Sequence, residues 1–135
     1  MKRQMFVVLL AAGVACVAAV PVVAHHSFAA EYDANKPVTV TGTITKVEWL
    51  NPHIYFYVDV RDQDGSVANW AVEGGTPNRL RRAGWGRDSL RVGEQVTVEG
   101  FMARKPGINH MNGRAVTLQD GRRVFASGPE DGGPQ

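Results

Sequence analysis

Hydrophobic and polar positions divide the chain into an apolar head, a series of alternating segments and a polar tail. From Met5 to Ala19 the residues carry no charge and show no alternation. Alternation begins at Val38. Val38, Val40 and Ile44 share one parity, and Thr39, Thr41, Thr43 and Thr45 share the other, as in a half-buried strand. Val47 and Trp49 change parity, which predicts a strand over residues 38–49 with a bulge or bend eased by Gly42. Pro52 makes residues 50–53 a turn. A second strand follows over 53–61, with Ile54, Phe56, Val58 and Val60 on one face and His53, Tyr55, Tyr57 and Asp59 on the other. Asp64-Gly65 closes a hairpin, and residues 67–72 return as a third strand carrying Trp70.

Gly74-Gly75 interrupts the alternation, and Thr76-Pro77 supplies a capping hydroxyl and a first-turn proline. Together they predict a short helix over 77–83 that stops at Gly84. Its Arg79, Arg81 and Arg82 resemble a phosphate patch, but on so short a helix they read as a solvated face. Trp85 and Leu90 anchor the next connection. Val96 and Val98 alternate with Thr97 and Glu99 in a fourth strand, which Gly100 and Met102 extend. Residues 104–113 are rich in turn formers and predict a loop. A fifth strand covers 114–118, and Val124-Phe125 adds a short edge. Three strands, a short helix and two strands predict an all-β, five-stranded OB-like Greek-key barrel. Its expected core is Val40, Ile44, Phe56, Val58, Val96 and Val98. The lead-in over 28–37 has no clear period; Phe28 and Tyr32, four apart, can pin it to the body by one helical turn.

The head sets the compartment. Met1-Lys2-Arg3 is basic, an apolar run follows, Pro21 breaks the helix, and Val22-x-Ala24 offers small residues at a cleavage position. That order is the secretory pattern, and the apolar run is short of the roughly 20 residues a membrane span needs. The expectation is a signal peptide over 1–24, an OB-like domain over 25–127 and a disordered tail over 128–135, the protein being periplasmic or secreted with no stable membrane anchor after cleavage. A retained anchor helix is the alternative. Gly13 stands where a lipoprotein signal carries a large aliphatic residue, so Cys16 reads as a passenger lost on cleavage. The mature chain then has no cysteine, which excludes a disulfide framework, thiolate metal ligands and a cysteine nucleophile.

Cleavage also changes the charge. Of the 15 basic residues, Lys2 and Arg3 leave, so 13 face 13 acidic ones, and 135 residues less 24 leaves 111. A neutral chain lacks the basic stripe of a nucleic-acid binder. No enzyme signature is present either. Ser27 and Ser89 sit in no nucleophile elbow, and no glycine-rich phosphate loop follows a strand. Glu48 and Glu73 could form an acid–base pair only if the fold joined them, and solvated strand positions account for them as well.

His25-His26-Ser27-Phe28, the Thr-Gly-Thr-Ile-Thr-Lys-Val-Glu-Trp stretch ending at Trp49, and Asn51-Pro52-His53 are similar to motifs of a family of small exported bacterial proteins of unknown function. Trp70-Ala71-Val72-Glu73, Gly84-Trp85 and Arg87-Asp88-Ser89-Leu90 resemble it too, so the likeness runs from His25 to about Phe125. It implies a barrel fold and export, and no reaction. Its histidine positions fall on His25, His26 and His53.

All four histidines lie beyond the head. His25 and His26 would begin the mature chain, His53 follows the first interstrand turn, and His110 falls in the loop expected before the last strand. In an OB-fold those two loops flank one ligand-binding face, so His53 and His110 are expected to be neighbours. Imidazole suits copper, zinc and nickel, while a thioether from Met102 or Met111 would favour Cu(I). An amino-terminal histidine chelates through its amine and its ring together, an arrangement suited to Cu(II). The expected metal ligands are therefore His25, His26, His53 and His110, with copper as the ion. The alternative is solvated or loop-bonding histidines in a metal-free binding module, where Tyr55, Tyr57 and Trp49 stack on a small planar ligand, or in a structural accessory of an envelope complex whose protein partner is unknown.

Overall fold

The Asp62–Gly65 turn reverses the chain and sets the register of everything packed beside it. Gly65 takes a positive φ of 86°, its N–H donates to the Asp62 carbonyl, and the Asp62 N–H donates to Ser66. From this turn the pairing runs Arg61↔Val67, Val58↔Trp70 and Tyr55↔Glu73. The computed structural model of the protein describes residues 28–125. In it, a single helical turn α1 (Phe28–Glu31) leads into β1 (Tyr32–Glu48), β2 (Tyr55–Arg61) and β3 (Val67–Glu73). A short helix α2 (Pro77–Arg82) and strands β4 (Gln95–Ala103), β5 (His110–Leu118) and β6 (Arg123–Phe125) complete the chain order.

Strand β1 pairs antiparallel with both β2 and β4, β2 with β3, and β4 with β5. The parallel pairing of β3 with β5 closes the five into a ring, and β6 adds to the outer edge of β5. This is the expected all-β, five-stranded OB-like arrangement with a helix between strands three and four. Thr76 caps α2, accepting from the Arg79 N–H, with Pro77 in the first turn. The bend expected in the first strand is a register slip between Ile44 and Lys46.

All six expected core residues are inside: Ile44, Phe56, Val58 and Val98 are at most 1% exposed, and Val40 and Val96 are also buried. Ile54, Val72, Leu80, Trp85, Leu90, Met111, Val116 and Leu118 join them in one cluster. Two glycines permit close backbone approaches within the ring. A Cβ at Gly42 would collide with the Asp59 carbonyl, and one at Gly100 with the Asn112 carbonyl. Gly42 sits where β1 touches β2 and β4 at once; Gly100 sits at a register slip between β4 and β5.

Strands β1 and β5 begin several residues before the alternation predicts. Strand β1 starts at Tyr32, because Tyr32 pairs with Ala103 across an irregularity that ends at Pro37. Strand β5 starts at His110 and not at Arg114, because residues 110–112 pair with β3 on one side and residues 111–113 with β4 on the other. The turn-forming look of Asn112-Gly113 is overridden by this pairing, Asn112 with both β3 and β4 and Gly113 with Gly100 of β4; both residues are buried. His110 is therefore a strand residue, and the loop before it ends at Asn109.

Val58 is fully buried at the centre of β2. Val58→Asp should abolish cooperative unfolding, because an unpaired buried charge costs several kcal/mol against a total stability of about 5–15 kcal/mol. Urea denaturation followed by circular dichroism checks this.

Candidate functional site

Glu73 ends β3 on the opposite parity from the core residue Val72, a position that ordinarily faces solvent. It is 7% exposed, because another part of the chain lies over it. The cover is α1 and the start of β1. Phe28 packs against Tyr32 and Phe101, with ring centroids 5.5 and 5.6 Å apart, and Tyr32, Phe28 and Ala103 form a second small cluster with Ile108. Arg104 ties the cover down: its backbone N–H donates to the Glu31 carbonyl, and its Nε donates to the Ala29 carbonyl. The second cluster holds Tyr32 over the outer face of β2, β3 and β5.

Beneath this cover the Glu73 carboxylate accepts three hydrogen bonds. Tyr32 Oη donates to Oε2 at 2.5 Å, Tyr55 Oη donates to the same oxygen at 2.8 Å, and His53 Nδ1 lies 2.8 Å from Oε1. Tyr32 Oη is also 3.1 Å from His110 Nε2. The His110 ring stands edge-on to Tyr32, with centroids 5.5 Å apart, and beside Tyr55 at 6.2 Å. Each partner comes from a different element. Tyr55 is delivered by the hairpin register, His110 by the parallel β3–β5 pairing opposite Ala71, and His53 by the segment before β2. That segment follows a cis Asn51–Pro52 bond, and Ile54 exchanges backbone hydrogen bonds with Gly74 and Gly75 just past Glu73.

Burial alone would raise the Glu73 pKa, but the hydrogen bonds from His53, Tyr32 and Tyr55, and the attraction of His53, outweigh it and hold the carboxyl below its usual 4.5. The two tyrosines are pushed up, by burial first and then by their bonds to the Glu73 anion. Burial lowers His110 below 6.5, against the opposing pull of Glu73 and Glu31. The site is thus an ionised carboxylate among neutral phenols, with one imidazole bonded directly to it and one bonded through Tyr32.

The structure brings His53 and His110 to this one carboxylate although they are 57 positions apart. His25 and His26, the cleavage point after Ala24, Cys16 and the tail over 128–135 lie outside the described residues. Of the aromatic set, Tyr55 belongs to the Glu73 cluster. Tyr57 donates to Glu48, with Lys46 5.4 Å above its ring. Trp49 packs against the core. Met111 is a fully buried core residue and Met102 is half-buried in β4. Among the described residues no three His, Cys, Asp or Glu side chains gather as a ready-made metal cage. None of their helices is long and apolar enough to cross a membrane. A cleft of about 350 Å³ lies at the other end of the β4–β5 ladder, between Gln95 and Leu118. There Asp120 and Arg122 are paired with each other, 2.6 Å apart, and it contains neither histidine.

Glu73 is the residue that alternation hides. A solvated strand position was the expectation; the structure buries it beneath Tyr32. A signal for it was present, since counting back from the Asp-Gly turn places Glu73 opposite Tyr55.

A family of unknown function, DUF6152, matches residues 12–112. That is 101 of the 135 residues. The chain belongs to the DUF6152 family. The matched span of the family contains Tyr32, Glu73 and all four histidines, and it ends inside β5. A search of curated proteins finds no match to the chain.

The lowered His110 pKa makes stability depend on pH. The unfolded chain takes up a proton near 6.5, while the folded ring resists it. The contribution of His110 to stability should therefore be lost as pH drops from about 6.5 toward its lower folded value, so the wild type should lose more stability over that interval than His110→Gln. Denaturant melts of the metal-free protein between pH 7.5 and about 5 check the sign.

Proposed function

We propose that the protein is a small copper-binding protein, holding or delivering the ion and catalysing no reaction. The observation that carries this is the bond from His53 Nδ1 to the buried Glu73 carboxylate. Metal-binding imidazoles are commonly held in this way, one ring nitrogen donating to a carboxylate and the other offering its lone pair to the ion.

Chain geometry supports the rest. Phe28 packs on Tyr32, and Tyr32 bonds Glu73, so the chain enters the fold beside this carboxylate. His26 and His25 precede Phe28 by two and three residues, and three extended residues span at most roughly 10 Å. If export removes residues 1–24, the free amine and ring of His25 can chelate one ion together, with His53 as the ligand supplied by the ring. His26 or His110 then completes a nitrogen-rich site of the kind Cu(II) accepts. Met111 is committed to the core, so a thioether-rich Cu(I) site has less support.

The test compares two proteins in copper titrations followed by electron paramagnetic resonance. One begins at His25; the other carries a single extra residue before it. The first should bind one Cu(II), with affinity falling as pH drops through about 6.5, where imidazole takes up a proton. The extended form should bind markedly more weakly. Equal binding by both, or by neither, contradicts the terminal chelate.

A further inference from the structure

The protons around Glu73 can be placed one by one. Tyr32 has one hydroxyl proton and two neighbours, Glu73 Oε2 and His110 Nε2. The 2.5 Å separation from Glu73 falls in the range of hydroxyl–carboxylate bonds, about 2.5–2.7 Å, whereas 3.1 Å to His110 is an ordinary N–H···O length. The tyrosine proton therefore points to the carboxylate. Tyr32 Oη can then only accept from His110, so a neutral His110 carries its proton on Nε2 and its lone pair on Nδ1. At His53 the carboxylate can only accept, so Nδ1 carries the proton and Nε2 the lone pair.

We propose that Glu73 is the positioning residue for both imidazoles. Directly at His53 and through Tyr32 at His110, it holds the two rings in opposite tautomers and selects the nitrogen each presents to a metal ion. His53 presents Nε2; His110 presents Nδ1. The tautomer assignment stands on the hydrogen bonds alone, and the assignment of metal-facing nitrogens rests on the copper proposal. Tyr55 shares the carboxylate but relays nothing to either ring, since its hydroxyl bonds only Glu73 Oε2 among the contacts of this cluster.

The experiment is long-range ¹H–¹⁵N correlation NMR of the metal-free protein at about pH 8, where free imidazole is neutral. The wild-type spectrum should show His53 protonated at Nδ1 and His110 at Nε2. Tyr32→Phe should release His110 into a mixture of tautomers and leave His53 unchanged. Tyr55→Phe, the control for loosened packing, should leave both as in the wild type. Glu73→Gln accepts at one side-chain atom only and should release at least one ring. His110 protonated at Nδ1 in the wild type overturns the proposal, and that result does not depend on any variant folding. Tyr32→Phe moving both rings or neither overturns it as well. A Cu(II) titration of Tyr32→Phe and Glu73→Gln then reads the metal part separately: a loss of about 10–100-fold is expected for variants that disturb the groups holding a ligand. Correct tautomers with unchanged copper affinity would overturn the choice of metal-facing nitrogens and leave the hydrogen-bond relay standing.

Discussion

A single carboxylate, buried and carrying three hydrogen bonds, holds one end of this molecule together. Taking Glu73 out of water costs several kcal/mol on its own, and one hydrogen bond to a charged group returns only about 1.5–3 kcal/mol. Three donors, from Tyr32, Tyr55 and His53, are what make its burial tolerable. Meeting that requirement fixes the architecture around it. Tyr55 must lie opposite Glu73, which the hairpin register ensures. Tyr32 must reach across from the start of β1, which is why Phe28, Phe101 and Ala103 form a separate apolar cluster beneath the chain's entry. His53 must sit just before β2, where the next residue, Ile54, is bonded to Gly74 and Gly75.

Most of the ring was legible from alternation. The valines of β1, β2 and β4 declare one buried face, the Asp-Gly turn declares a hairpin, and Thr76-Pro77 declares a helix start. The parts that alternation misses share a physical cause. Residues 110–113 and the lead-in to β1 owe their conformation to partners remote in sequence, β3 and β4 for the first and Ala103 for the second. A strand paired on both sides needs no strong local propensity, so His-Met-Asn-Gly forms one despite its turn-like composition. Glu73 was hidden because alternation reports which face of a strand a residue occupies, and says nothing of what later covers that face. Tyr32 and Phe28 were legible as packing anchors; that Tyr32 also bonds a carboxylate 41 positions away was not.

The same geometry separates holding from binding. The ring brings two imidazoles to one carboxylate, His53 directly and His110 through Tyr32. The entering chain supplies position and, in the copper proposal, the remaining ligands. Glu48, the carboxylate at the end of the first strand, plays another part, pairing with Lys46 and accepting from Tyr57 on the outer face. The two carboxylates have separate partners, which argues against a joint acid–base role. At the far end, the cleft beside Asp120 and Arg122 has no buried titratable group to organise a ligand.

The arrangement at this end of the ring requires Glu73 to be an anion in a nearly dry place. The most direct measurement is a ¹³C NMR titration of its side-chain carboxyl in the folded, metal-free protein. Burial without compensation would raise its pKa above the ordinary 4.5, whereas three donors and the neighbouring His53 hold it below. The resonance should therefore still report mostly carboxylate at pH 4.5, where an exposed glutamate is half protonated. A midpoint at or above 4.5 would mean that these donors do not hold Glu73 as an anion, and that something else organises this end of the ring.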